Sequence, residues 1–178
     1  MISVRAETSN DYDAVRHVIV DAFTPSEFGH HGEADLVEQL RDRCDCLLSL
    51  VAVEDSGVIG HILFSPVSVR NGRDMSWGMG LAPLAIAPHR QRQGIGTALV
   101  KAGLVQLAEE GCPFVVVLGH GQFYSRFGFE PAAQYGLSHG FAGIPQSAFW
   151  VNRLVQESPV TNGRIFYRPE FGLQADSA

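Results

Sequence analysis

A chain of 178 residues with 46% hydrophobic content carries enough apolar material for one sizeable core, and the length predicts a single domain over 1–178. The formal net charge of −6 and a single lysine, Lys101, argue against a nucleic-acid surface, which needs clustered Lys and Arg. No apolar run approaches the roughly 20 residues of a membrane span and no basic segment with an apolar follow-on opens the chain, so no membrane partner is expected and a cytoplasmic location is the default. The three cysteines, Cys44, Cys46 and Cys112, form no C-x-x-C pair and have no cluster of histidines beside them, so neither a disulfide nor a metal site is expected.

In chain order, Ile2 to Ala6 reads as a strand. Asn10 or Asp11 can cap a helix through Phe23 with Tyr12, Val15, Val18, Ile19 and Ala22 on one face. A loop from Thr24 to Gly32 holds Pro25, Gly29, His30 and His31, and a second helix follows from Glu33 to about Arg43 with Leu36, Val37 and Leu40 inward. Leu47 to Val53 and Val58 to Val69, joined by the turn Asp55-Ser56-Gly57, predict a hairpin. Asn71-Gly72 turns the chain into a fourth strand that starts near Met75 or Trp77 and runs to Ala87, where Pro88 ends it for want of an N–H.

Helical period takes over after Gly94, with Ile95, Ala98, Leu99, Ala102 and Val105 on one face. The first turn of a helix presents unpaired N–H groups and the positive end of its dipole, and Gly94 and Gly96 leave those amides open to an anion. No acidic residue lies between Asp74 and Glu109, whereas His89, Arg90, Arg92 and Lys101 do. The spacing excludes two common phosphate loops. Lys101 comes a turn too late for Gly-x4-Gly-Lys-Ser/Thr, and Leu99 stands where G-x-G-x-x-G needs its third glycine.

After the helix, Phe114 to Leu118 is an apolar run suited to a buried parallel strand, and Gly119-His120-Gly121 leads into a short helix carrying Tyr124. Short strands are expected at Phe129 to Ala132, at about Ala148 to Val155 and at Arg164 to Tyr167, with Gln174 to Ala178 as a frayed tail.

Two motifs, Gln91-x-x-Gly94-x-Gly96 after the strand and Phe123-Tyr124-Ser125-Arg126-Phe127-Gly128-Phe129 further on, resemble in order and separation the signatures of the GNAT superfamily of N-acetyltransferases. Gly80 to Ala85, Tyr124 to Phe129 and Tyr167 to Phe171 resemble its YhbS-like bacterial group. The resemblance implies an α/β fold of the α+β mixed-sheet kind: a central, mostly antiparallel sheet flanked by helices, with a parallel splay between the fourth and fifth strands. It implies acetyl-CoA as co-substrate. The backbone of Leu84, Ala85 and Ile86 would hold pantetheine and the thioester, and Gln91, Arg92, Gln93, Gly94, Ile95, Gly96 and Thr97 would form the pyrophosphate loop. Tyr124 would give a proton to the departing thiolate. The first two helices would border an acceptor that is a primary amine of a small molecule or a peptide.

Many members of the superfamily carry a Glu on the strand before the loop, where this chain has Met79, Gly80 and Leu81. The base is therefore open among Glu33, His30, His31, His120 and a water chain, with His120 best placed after the buried strand. The rival expectation is a catalytically silent acyl-CoA sensor or interaction module. The acceptor and the oligomeric state, a homodimer included, stay open at this point.

Overall fold

The computed structural model describes residues 1–24, 32–55, 57–155 and 160–172. They divide into two compact units, the first built from Met1–Phe64 and Ala82–Gly103 and the second from Ser65–Leu81 with the chain from Leu104 onward.

In the first unit β1 (Ser3–Ala6) pairs antiparallel with β2 (Leu48–Glu54), and β2 pairs antiparallel with β3 (Gly57–Asn71) across a register shift at Ala52/Val53. Helices α1 (Tyr12–Phe23) and α2 (Glu33–Arg43) bury Val15, Val18 and Ile19, and Ala34, Val37 and Leu40. The start of α1 is built from charge. The Thr8 N–H and hydroxyl donate to the Asp11 carboxylate at 2.8 and 2.9 Å, and Arg5 clasps both its oxygens at 2.7 and 2.8 Å. The Arg5 hydrogen bonds hold the Asp11 carboxyl far below the usual carboxylate range. A depressed folded-state pKa means stabilisation that is complete above the unfolded value near 4 and lost as pH falls from there towards the folded value. The gap in unfolding midpoint between the native chain and Asp11→Asn should therefore be constant from pH 5 to 8 and shrink below pH 4, and a constant gap down to pH 2.5 would remove this role.

A second polar cluster ties α2 to the strands. Arg41 pairs with Glu7 with both side chains under 10% exposed; the Ser49 hydroxyl donates to Glu7 at 2.7 Å and lies 2.9 Å from His61 Nε2. Burial, then the Arg41 charge, lowers the His61 pKa to about 3, so the imidazole stays neutral and the ion pair is the charged part of the cluster.

Strand β4 (Asp74–Ile86) and helix α3 (Ile95–Glu109) each run through both units. In the first, β3 contributes Gly60 beneath the start of α3: a Cβ there would lie 2.9 Å from Ile86 and 3.1 Å from Ile95 and Leu99. The buried residues of α3 are Ile95, Leu99, Val100, Gly103, Leu104 and Leu107, while Val105 is 58% exposed and Ala98 faces solvent. Of the face that periodicity indicates, Ile95 and Leu99 do turn inward, while the seam leaves Ala98 and Val105 outside and runs on through Val100, Leu104 and Leu107. On a helix this rich in apolar residues the sheet beneath chooses among several apolar stripes.

In the second unit β4 pairs parallel with β5 (Phe114–Leu118) over Met79–Leu81. Strand β8 (Phe149–Arg153) runs antiparallel to both β5 and β6 (Glu130–Pro131). The far half of β3 pairs antiparallel with β9 (Gly163–Phe166), which pairs parallel with β7 (Leu137–His139), a strand that periodicity did not indicate. Val67, Val69, Phe114, Val116, Phe149, Val151 and Ile165 form the core of this unit. The fold is thus the expected mixed sheet with a parallel β4–β5 pair. Among the described residues no helix is long and apolar enough to cross a membrane, and no cluster of metal-ligating side chains is present.

Candidate active site

In the first unit β4 continues for five residues, Ala82–Ile86, past its parallel pairing. Of the strand residues expected to face the acyl carrier, Ala85 is buried and Leu84 and Ile86 are half-buried. Pro88 then forces a 3-10 turn, Pro88–Arg90, held by the Ala87 N–H donating to Ile59 O at 2.9 Å and the Arg90 N–H donating to Ala87 O at 2.8 Å. Two amide side chains fold back on this turn. Gln91 Nε2 donates to Ile86 O and Gln93 Nε2 to His89 O, both at 3.2 Å.

The loop proper has two residues at positive φ, Arg92 at 60° and Gly94 at 84°. An L-residue in that region costs about 1–2 kcal/mol, so Arg92 stores strain of the kind found at ligand sites. Positive φ at both Arg92 and Gly94 reverses the peptide direction twice within three residues, a feature of loops that turn backbone N–H groups towards an anion. Gly94 caps α3, accepting from the Ala98 N–H at 3.0 Å, and the N–H groups from Arg92 to Thr97 have no backbone acceptor among the described residues. Gln91 to Gly94 are exposed, Gly96 and Thr97 half-buried and Ile95 buried, so Ile95 anchors the helix start while the amides around it stay open. The Gln91 side chain thus braces the end of the strand.

The charge of the loop is smaller than the sequence suggested. Arg90 donates to both oxygens of Glu54, so its guanidinium is already neutralised, whereas the exposed Arg92 side chain has no ionic partner among the described residues. Glu54 was invisible in the sequence because it lies 36 residues from Arg90, at the end of β2, with no local pattern linking the two.

In the second unit Tyr124 ends the four-residue helix α4 (Gly121–Tyr124). Its ring lies on Gly119, where a Cβ would come within 2.6 Å of it, and meets Phe123 and Phe129 edge-on at 5.0 and 5.6 Å. Burial to 8% exposure pushes its phenol pKa up. His120 is exposed and supplies the N-cap of α4, its carbonyl accepting from the N–H groups of Phe123 and Tyr124 at 3.0 and 3.3 Å. Glu33 is half-buried as the first residue of α2, in the first unit. His30 and His31 lie outside the described residues.

Met79 to Leu81 carry no carboxylate, and the space beside Gly80 has a physical occupant. A Cβ on Gly80 would lie 2.6 Å from the ring of Tyr167 and 2.8 Å from Val67, so no side chain fits there, and the buried Tyr167, itself packed on Phe141 and Phe171, takes the space. The sequence places Tyr167 only in a closing motif, and nothing in that motif tells which strand its ring will cover.

Residues 12–129 match the acetyltransferase (GNAT) family, to which the chain belongs. It is 44% identical over 140 residues to the uncharacterized N-acetyltransferase YhbS of Escherichia coli (strain K12), covering 78% of this chain and 82% of that one. Its structure superposes on that of a GNAT family N-acetyltransferase (YhbS) from Escherichia coli in complex with CoA, with a TM-score of 0.85 and 38% identity over 96% of this chain and 91% of the other. A GNAT family acetyltransferase from Brucella melitensis in complex with acetyl-CoA superposes with a TM-score of 0.80 and 32% identity, over 97% and 99% of the two chains.

Proposed function

We propose that this protein is a cytoplasmic N-acetyltransferase that moves acetyl from acetyl-CoA to a primary amine of a small molecule or peptide, with residues 1–178 acting as one catalytic domain. The observation that carries the reading is the run of N–H groups without backbone acceptors from Arg92 to Thr97 at the start of α3, a site made for a diphosphate. It agrees with the CoA and acetyl-CoA bound to the two similar structures.

Acetyl-CoA supplies the activated acyl group. Gln91 to Thr97 bind the pyrophosphate through backbone amides, Arg92 adds the cationic contact, and Gln91 and Gln93 brace the turn behind them. The backbone of Leu84, Ala85 and Ile86, on the stretch of β4 beyond its parallel pairing, holds the pantetheine arm and orients the thioester carbonyl. As the amine nitrogen forms its bond to the acyl carbon and the C–S bond breaks, the Tyr124 hydroxyl gives its proton to the sulfur. His120, exposed at the head of α4, is the side chain we assign to take the proton from the attacking amine, directly or through water.

One observation favours a second reading, a silent acyl-CoA-binding module. Tyr167 fills the place beside Gly80, so β4 offers no carboxylate there as a base. A panel of primary amines incubated with acetyl-CoA, with free thiol followed in time, separates the two. Amine-dependent thiol release with acetylated product is the expected result. CoA binding by calorimetry with no release on any amine would establish the silent module instead.

A further inference from the structure

Arg90 closes the turn that leads into the amide loop, one residue before Gln91. Its two terminal nitrogens reach back to β2, Nη1 donating to Glu54 Oε2 and Nη2 to Oε1, the latter at 2.9 Å. This fork-on-fork pairing fixes direction as well as distance. The side chains are 23% and 24% exposed, so water shields the pair only in part. The neighbouring Ala87 N–H is tied to β3 through Ile59 O. The leading edge of the loop is therefore fastened to the sheet twice, once by backbone and once by an ion pair. Beyond it lie exposed residues and the strained Arg92.

An anion site made of backbone amides binds well only if its N–H groups already converge, because reorganising a loop on binding is subtracted from affinity. A strained φ at Arg92 relaxes unless the ends of the loop are held. We propose that Glu54 is a positioning residue for the cofactor. By holding Arg90 it locks the leading edge of the loop in the geometry that gathers the amides, and it keeps the Arg90 guanidinium off the phosphates and leaves that contact to Arg92. This rests on the reading of Gln91 to Thr97 as the CoA site.

The test is a double-mutant cycle on the full chain with Glu54→Ala, Arg90→Ala and the double variant, reading CoA affinity by calorimetry, acetyl-CoA KM and kcat by kinetics, and folding by thermal midpoint. Each single variant is expected to raise the CoA Kd and the acetyl-CoA KM about fivefold, the size of a good bidentate pair, with kcat unchanged. The double variant should be no worse than either single one. The slope of log Kd against log salt should stay at the native value in Arg90→Ala, since no phosphate contact is lost, and Arg90→Lys should recover part of the affinity. Should Arg90→Ala not fold, Glu54→Gln with Arg90→Lys provides the same cycle. Affinity in Glu54→Ala equal to or tighter than native, or a salt slope reduced by about one ion in Arg90→Ala, overturns the proposal, the second because it means direct phosphate contact. Gly94→Val measured alongside tells apart the two ways of failing. If it also leaves CoA affinity unchanged the loop is not the cofactor site, and if it abolishes binding while Glu54→Ala does not weaken it, only the positioning role falls.

Discussion

Replacing Gly94 by Val is expected to weaken CoA binding at least a hundredfold in a protein that still folds. The cause is backbone rather than packing. Gly94 sits at φ 84° and a Cβ there meets nothing within 4 Å, so the protein itself makes no clash. A β-branched residue is poorly accommodated at that φ and carries a strain of about 1–2 kcal/mol or more. The loop can shed the strain only by rotating the peptides on either side, which are the ones that present N–H groups to the diphosphate. The branched side chain also stands in the opening through which the phosphates approach the start of α3. Calorimetric titration with CoA, beside a thermal melt to show that the variant is folded, decides it. Native affinity in a folded Gly94→Val protein would withdraw the cofactor assignment from this loop.

Tyr124→Phe should cut turnover roughly 10²-fold, the low end for loss of a general acid, and leave acetyl-CoA affinity nearly intact. The ring contacts with Gly119, Phe123 and Phe129 survive the change, so only the O–H is lost. Burial raises the phenol pKa above its usual value near 10, which keeps the proton in place across the neutral range. The alkaline fall of kcat assigned to Tyr124 must therefore lie above pH 10, and a fall below pH 9 belongs to another group. Unchanged turnover in the Phe variant assigns Tyr124 to packing. A matching loss of binding and rate assigns it to holding the cofactor.

The sequence by itself determined the parts whose causes are local. Pro88 ends a strand wherever it occurs, Gly94 is the residue that takes a positive φ at a helix cap without penalty, and the apolar run Phe114–Leu118 has the length and composition of a buried strand, which is where β5 lies. For the same reason the two family motifs were readable, since each is a strand–loop–helix or helix–strand junction whose chemistry lies within ten residues. What depends on meetings across the chain came from the folded molecule alone. Which stripe of α3 turns inward depends on the sheet beneath it, where Gly60 lets Ile95 and Leu99 come close, and β7 exists because β9 offers it hydrogen bonds three residues long. The sequence places Arg90 among the cations beside the loop, yet a guanidinium at the end of a long side chain pairs with whatever carboxylate folding brings within reach, here Glu54 from another strand. Tyr167 covers Gly80 for a like reason. A glycine in a strand records that something must come close, and the fold alone decides what.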